Sequence, residues 1–128
     1  MTEKDLVIKW LAFHNLAKNI SAQLENALKE CDHPISLNEF YSLFILNETE
    51  GKALRMSDLS QRLNLSLSAT SRMLARFENT CGVIHRHSSP EDKREVHIRL
   101  TPLGQQRLKQ ALEKLSAVLT NYEDKLII

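Results

Sequence analysis

Apolar residues recur every three or four positions from Thr2 to Cys31, which is the period of an amphipathic helix. Thr2 is placed to cap the start of this helix, and Asp32-His33-Pro34 marks its end because proline disfavours helix in the residue before it. A helix of about 28 residues is about 42 Å long, which is more than a core of this size covers alone. We therefore expect part of the helix to pack on a second subunit.

Two further helices and a short strand are predicted in the next part of the chain. Ser36-Leu37-Asn38-Glu39 has the pattern of a capping box and precedes a helix over residues 37–47. A polar loop then leads to a very short strand over residues 53–56. Ser57 is expected to cap a short helix over residues 58–63.

The segment that follows has the features of a helix-turn-helix. Asn64-Leu65 forms the turn, Ser66 is placed to cap another helix, and Gly82 stands where that helix should terminate. The apolar side of this helix carries Thr70, Met73, Leu74, Phe77 and Cys81. The opposite side carries small and basic residues, namely Ser68, Ala69, Arg72, Ala75, Arg76 and Asn79. Such residues suit a helix face that enters a DNA groove.

A two-stranded ribbon and a closing helix complete the pattern. Residues 83–87 and 95–100 alternate between apolar and polar positions, as strands do, and the segment between them is polar and partly basic. Thr101-Pro102 supplies a cap and a proline at the first helical position. The predicted fold class is mainly α with a small β-wing, which is a winged helix-turn-helix.

Basic charge is concentrated in the middle of the chain. Residues 52–100 hold nine Lys and Arg against five Asp and Glu, whereas the remaining residues hold eight against eleven. A basic segment favours contact with nucleic acid. The length of 128 residues and the 42% of hydrophobic residues fit one globular domain. Because we find neither a signal peptide nor an apolar run of roughly 18 residues, we expect a cytoplasmic protein without a membrane span.

The middle of the chain resembles the MarR family of winged helix-turn-helix transcriptional regulators. Residues 59–78 look like the positioning and recognition helices of that family, and residues 81–86 look like the entry into its wing. The most specific match is Ser89-Pro90-Glu91-Asp92-Lys93-Arg94, which has the Asp-x-Arg core of the family's wing signature. Residues 98–104 are similar to the last strand and the start of the next helix. The resemblance covers about residues 36–110.

The resemblance implies a homodimeric repressor or activator that binds double-stranded DNA at a pseudo-palindromic operator. The recognition helix, residues 66–80, would enter the major groove, and the wing, residues 85–97, would reach the minor groove. The implied single domain, residues 1–128, has an N-terminal dimerisation helix at 1–34, the DNA-binding core at 35–100 and a C-terminal dimerisation helix at 101–128. Release of DNA by a small-molecule effector, and any change that the short C-terminus makes to the dimer interface, stay open.

The candidate DNA contacts lie on the recognition helix and the wing. They are Ser66, Ser68, Ala69, Ser71, Arg72 and Arg76 on the helix, and Arg86, Asp92, Lys93 and Arg94 in the wing. The start of a helix offers amide groups to phosphates. The resemblance places Arg94 at the minor groove, since narrow minor grooves attract arginine, and implies that Asp92 holds the loop in place. Three plainer interpretations stay open: Ser66 as a helix cap only, Arg72 and Arg76 as solvated surface, and Asp92 with Arg94 as a pair that stabilises a turn.

Other kinds of site are not expected. His85 and His87 share a strand face, but no carboxylate or cysteine stands at ligand spacing beside them, so we predict no metal and no cofactor. Nothing marks Cys31 or Cys81 as an activated thiol. The chain lacks a phosphate-binding glycine loop, an HExxH motif and a recognisable nucleophile with its base, which argues against an enzyme. The alternative function is a winged-helix module that binds a protein partner, or an anti-regulator that does not bind DNA.

Overall fold

The helices and strands follow the predicted order. The computed structural model describes residues 1–88 and 95–127, except for the side chains of residues 79–81. The helices are α1 (Glu3–Lys29), α2 (Leu37–Glu48), α3 (Met56–Leu63), α4 (Leu67–Cys81) and α5 (Pro102–Thr120). The strands are β1 (Ala53–Arg55), β2 (Ile84–Ser88) and β3 (Val96–Leu100). The chain is mostly helical with one small antiparallel sheet, which confirms the predicted winged helix-turn-helix.

The chain divides into two compact units, and the first contains α1. This unit consists of Met1–Leu37 and Glu113–Ile128. The predicted cap of α1 is confirmed: Thr2 Oγ1 accepts a hydrogen bond from the Asp5 amide at 3.1 Å, and the Asp5 carboxylate accepts one from the Thr2 amide at 3.0 Å. The backbone bond and then the side-chain bond to Thr2 lower the pKa of Asp5. The bounds of the predicted dimerisation helices stay a prediction.

The second unit, Asn38–Leu112, has its own hydrophobic core. The fully or almost fully buried side chains of this unit include Leu43, Leu46, Leu59, Leu74, Phe77, Val83 and Ile98. The buried hydroxyl groups of this core are satisfied within their own helices: Ser42 donates to the Asn38 carbonyl at 2.8 Å, and Thr70 donates to the Ser66 carbonyl at 2.9 Å. The core therefore accommodates these small polar side chains without leaving a hydroxyl unpaired.

Three helix ends in the second unit differ in how they are capped. Ser66 caps α4 by accepting a hydrogen bond from the Ala69 amide at 3.1 Å, and Gly82 ends α4 in the left-handed conformation at φ 65°, as predicted. The prediction that Ser57 caps α3 is wrong, since the helix begins at Met56 and Arg55 stands at the cap without a side-chain hydrogen bond. The physical reason is that β1 leads directly into α3, so the last extended residue of the strand is also the cap.

The sheet joins the elements on both sides of the helix-turn-helix. Its strand order is β1-β3-β2, and both pairs are antiparallel. The start of α5 is fixed to the segment before β2, because Thr101 Oγ1 donates to the Gly82 carbonyl at 2.9 Å and accepts from the Gly104 amide at 3.0 Å. Gly104 also packs so closely on the Val83 carbonyl that a Cβ would collide with it. The wing is therefore held at its base by α5 as well as by β1.

Replacement of the buried Leu74 should destabilise the protein strongly. Leu74 is 0% exposed, so Leu74→Ala removes buried methyl groups and leaves a cavity in the core. We expect the free energy of unfolding to fall by about 2 to 5 kcal/mol in urea titrations followed by circular dichroism. Leu67→Ala is the matched control in the same helix, since Leu67 is 56% exposed, and it should change the free energy by less than about 0.5 kcal/mol. Equal effects of the two variants would contradict this packing of α4.

Candidate nucleic-acid interface

Helix α4 presents a polar face because its other face is buried. Thr70, Met73, Leu74 and Phe77 form the buried side. The helix repeat of 3.6 residues then directs Ser68, Arg72 and Arg76 to the opposite side, where all three are exposed. Ala69 and Ser71 are half-buried at the margins of this face, and Ser66 is exposed at its start. The structure thus brings the six predicted helix residues together on one element, but nothing in it tests whether they contact DNA.

The start of α4 has the properties of an anion-binding end. The Ser66 hydroxyl caps the helix and lies 3.4 Å from the Ser68 hydroxyl. No acidic side chain occurs in the first turn of the helix. The amide groups at a helix start carry partial positive charge, which favours a nearby phosphate. The capping role of Ser66 is therefore present, and a contact of its exposed hydroxyl with a phosphate is compatible with it.

Arg86 on β2 points to the inner side of the sheet and binds α4. Its guanidinium Nη2 donates to the Ser71 carbonyl at 3.2 Å, and its Nε lies 3.4 Å from Glu78 Oε2. That Nε is buried and makes no geometrically good hydrogen bond with any residue of the described part of the chain. Ser71 and Glu78 are two helical turns apart on the same side of α4. One side chain therefore fixes the recognition helix to the first strand of the wing.

Arg55 forms a second link, at the base of the wing. Its guanidinium binds the Asp58 carboxylate of α3 at 2.9 Å and the Glu95 carboxylate, just before β3, at 3.0 Å. The hydrogen bond to Asp58, and then the one to Glu95, raise the pKa of Arg55. The Arg-x-x-Asp spacing in the sequence could have indicated the pair between Arg55 and Asp58, because the two residues are three positions apart. The pairs with Glu95 and between Arg86 and Glu78 join residues far apart in the chain, and the sequence pattern did not indicate them.

The tip of the wing lies outside the described residues. The predicted contacts Asp92, Lys93 and Arg94 belong to this segment, residues 89–94, so their predicted role stays a prediction. The strands on each side of the tip are described, and they carry exposed basic or titratable residues, among them His85, His87 and Arg99. In residues 1–88 and 95–127, no three His, Cys, Asp or Glu side chains are arranged to hold a metal ion. None of the described helices is both long and apolar enough to cross a bilayer.

Comparison with known proteins gives a family match and a named relative. The sequence model of the MarR family matches residues 35–96. The HTH-type transcriptional repressor YetL of Bacillus subtilis is 28% identical over 120 residues, which cover 91% of this chain and 70% of YetL. The family match spans the helix-turn-helix and most of the wing, which are the segments that carried the resemblance in the sequence.

Solved structures share the fold over the whole chain. AbsC, a MarR family transcriptional regulator from Streptomyces coelicolor, superposes with a TM-score of 0.84 at 24% identity, covering 100% of this chain and 84% of AbsC. Sco3205, a MarR family regulator from the same organism whose crystal structure is a complex with DNA, superposes with a TM-score of 0.85 at 22% identity, covering 100% of this chain and 78% of Sco3205. The family match, the wing signature and the order of elements agree, and this chain carries a domain of the MarR family of transcriptional regulators at residues 35–96.

Proposed function

We propose that the protein is a non-enzymatic regulator that binds duplex DNA as a homodimer, with α4 in the major groove and the wing at the minor groove. The observation that carries the proposal is the exposed polar face of α4, with Ser68, Arg72 and Arg76 beside an anion-binding helix start. A major groove about 12 Å wide accepts one helix, and arginine is the side chain that most often recognises guanine there. The Sco3205 complex with DNA supports the proposal by analogy of fold.

The predicted contacts differ in what supports them. Ser66 caps α4, and the helix itself carries Ser68, Ala69, Ser71, Arg72 and Arg76. We assign base-edge and phosphate contacts to the exposed side chains among them. Asp92, Lys93 and Arg94 keep the role that the wing signature implies. Release of DNA by a small-molecule effector also stays an implication of the family resemblance.

Loss of Arg72 should weaken DNA binding without unfolding the protein. Arg72 is exposed, so Arg72→Ala removes a DNA contact without removing core packing. With a genomic DNA fragment that the parent protein binds, we expect fluorescence anisotropy to show a loss of affinity of about 5- to 100-fold. The wing variant Arg94→Ala should also weaken binding. Lys109→Ala, which removes an exposed positive charge from α5, is the control and should retain the affinity of the parent.

The salt dependence of the same measurement separates the two candidate functions. A DNA-binding protein loses affinity steeply as salt rises, in proportion to the number of phosphates that it neutralises. If the parent protein retains no genomic fragment at low salt, the DNA-binding proposal fails, and the protein-interaction module becomes the better description.

We assign Arg86 a positioning role rather than a direct DNA contact. Its guanidinium is occupied by the Ser71 carbonyl and the Glu78 carboxylate, and the side chain is 25% exposed. Recognition of DNA requires the helix and the wing to be held at a fixed separation, because the two grooves lie at a fixed separation on the duplex. An arginine that bridges α4 and β2 meets this requirement from inside the protein.

The variant Glu78→Gln tests this assignment. Loss of a negative charge near DNA should strengthen binding if Arg86 contacts phosphate, because the arginine is then released from its partner. If Arg86 positions α4, then Glu78→Gln and Arg86→Ala should both weaken binding, and both should lower the free energy of unfolding by about 1 to 3 kcal/mol. Tighter binding by Glu78→Gln, measured by anisotropy, would contradict the positioning role. Arg62→Ala, on the exposed surface of α3, is a control for the general loss of an arginine.

The first half of α1 supports the proposed homodimer. Six large apolar side chains in it are at least half exposed, namely Leu6, Val7, Ile8, Trp10, Leu11 and Phe13. They are distributed around most of the helix circumference, and a helix that is hydrophobic all round is normally buried. Exposed apolar patches of this kind mark protein interfaces. We therefore infer that a second copy of the chain covers this part of α1.

A charge placed in this segment should break the dimer. Trp10 is 58% exposed, so Trp10→Glu leaves the core of the single chain intact but places a carboxylate in the inferred interface. Sedimentation velocity should show a dimer for the parent and a monomer for Trp10→Glu, with helicity unchanged in circular dichroism. Lys9→Glu alters the charge at the neighbouring exposed position and should leave the dimer intact. A parent protein that sediments as a monomer at all concentrations would rule out the inferred interface.

A further inference from the structure

Three histidines stack on the outer face of the wing sheet. They are His85 and His87 on β2 and His97 on β3, and we call them the histidine face. The ring centroids of His85 and His87 lie 5.9 Å apart, and those of His87 and His97 lie 5.5 Å apart. The rings are close to parallel, with interplanar angles of 17° and 19°. The alternation along the sequence indicated a shared face for His85 and His87, whereas His97 joins them from the neighbouring strand.

The strand register explains why the three rings meet. His97 stands directly opposite His87, and Arg99 stands directly opposite His85. On its other side, His97 stands opposite Arg55 of β1. Residues directly opposite each other in an antiparallel pair project to the same face of the sheet. The alternate positions, such as Ile84 and Ile98, project to the other face and are buried.

The charged groups beside the histidine face are two arginines and two carboxylates. Arg55 from β1 and Arg99 from β3 share the face. The acidic groups nearest in these elements are Asp58 and Glu95, and the Arg55 guanidinium binds both of them. His85 and His87 are exposed and His97 is half-buried, so solvent and ions have access to the rings. Both carboxylates are bound by Arg55, so a proton added to any of these imidazoles gives this accessible surface a positive charge that no described carboxylate pairs with.

The histidine face lies close to the tip of the wing along both strands. His87 precedes residue 89 by two positions, and His97 follows residue 94 by three. His87 is thus one position from the end of β2 at Ser88, and His97 is one position from the start of β3 at Val96. The screening length at physiological ionic strength is about 8 Å. Charge on the histidine face therefore acts on a phosphate that lies within about this distance of the exposed rings.

We propose that the histidine face is a proton-dependent contact surface for the phosphates of duplex DNA, so that acidification tightens DNA binding. The inference rests on the proposed DNA-binding function and adds a regulatory property to the wing. Histidine is the side chain whose charge ordinarily changes between about pH 5 and pH 8. Three stacked imidazolium ions beside two arginines repel one another, and nearby phosphates offset this repulsion. Binding of DNA therefore takes up protons, and by linkage a rise in proton concentration raises the affinity.

The test is the pH dependence of DNA affinity in a triple variant. The probe is a fluorescent duplex that the parent protein retains at about pH 8, titrated at constant ionic strength with EDTA present to exclude bridging metal. Between about pH 8 and pH 6 we expect the affinity of the parent to rise about tenfold or more, and the slope of log affinity against log salt to steepen by about 1 to 2. The variant His85→Gln, His87→Gln, His97→Gln should bind like the parent at pH 8 and lose most of this rise.

Two controls keep the result specific. His33→Gln removes an exposed histidine from the other compact unit and should retain the full pH response. If circular dichroism shows that the triple variant is misfolded, the single variants His85→Gln and His87→Gln, both at exposed positions, should each reduce the rise. Calorimetry of the parent in buffers of different ionisation enthalpy should show proton uptake on binding.

The failure of this inference is distinguishable from that of the proposed function. If the parent binds DNA with a normal salt dependence but shows no pH response, the histidine face has no such role. The same conclusion follows if the triple variant retains the full response, or if His33→Gln removes it. If the parent binds no duplex at either pH, the DNA-binding function itself is overturned, and the inference with it.

Discussion

The attachment of α4 to β2 is the constraint on which the candidate interface depends. The buried side chains of Leu74 and Phe77 fix which face of α4 is turned inward, and the Arg86 guanidinium holds two turns of the same helix against the first wing strand. Apolar packing alone sets the orientation of a helix but tolerates some sliding, whereas a guanidinium with two fixed partners also sets the position along the helix axis. The proposed placement of α4 and the wing in neighbouring grooves of DNA requires both restraints.

Arginines of similar appearance in the sequence have different surroundings in the structure. Arg86 serves the interior of the second unit, Arg55 binds two carboxylates at the base of the wing, and Arg72 is exposed on α4. The basic surplus of residues 52–100 is therefore not a uniform charge available to DNA. The positive charge available to DNA is what remains after these internal ion pairs are formed. This is one reason why the total charge of the chain, +1, says little about its capacity to bind nucleic acid.

The surfaces outside α4 are chemically distinct from one another. The first half of α1 is apolar on most of its circumference, so its exposure to water is unfavourable unless another protein surface buries it. The outer face of the sheet is polar and carries three histidines and two arginines, so it tolerates solvent. The proposed self-association and the proposed DNA binding would therefore use different physical forces: the first is the burial of apolar area, and the second is electrostatic.

The sequence by itself determined the order of the elements, the caps at Thr2, Ser66 and Gly82, the buried stripe of α4 and the family of the domain at residues 35–96. These features depend on residues that are near one another in the chain, and local periodicity and capping preferences report them directly. Only the tertiary structure decided that Arg86 turns towards Glu78, that Arg55 joins Asp58 to Glu95 and that His97 stands opposite His87. Each of these contacts depends on strand register or on the packing of helix against sheet, and a one-residue shift in register would send the same side chains to the opposite face.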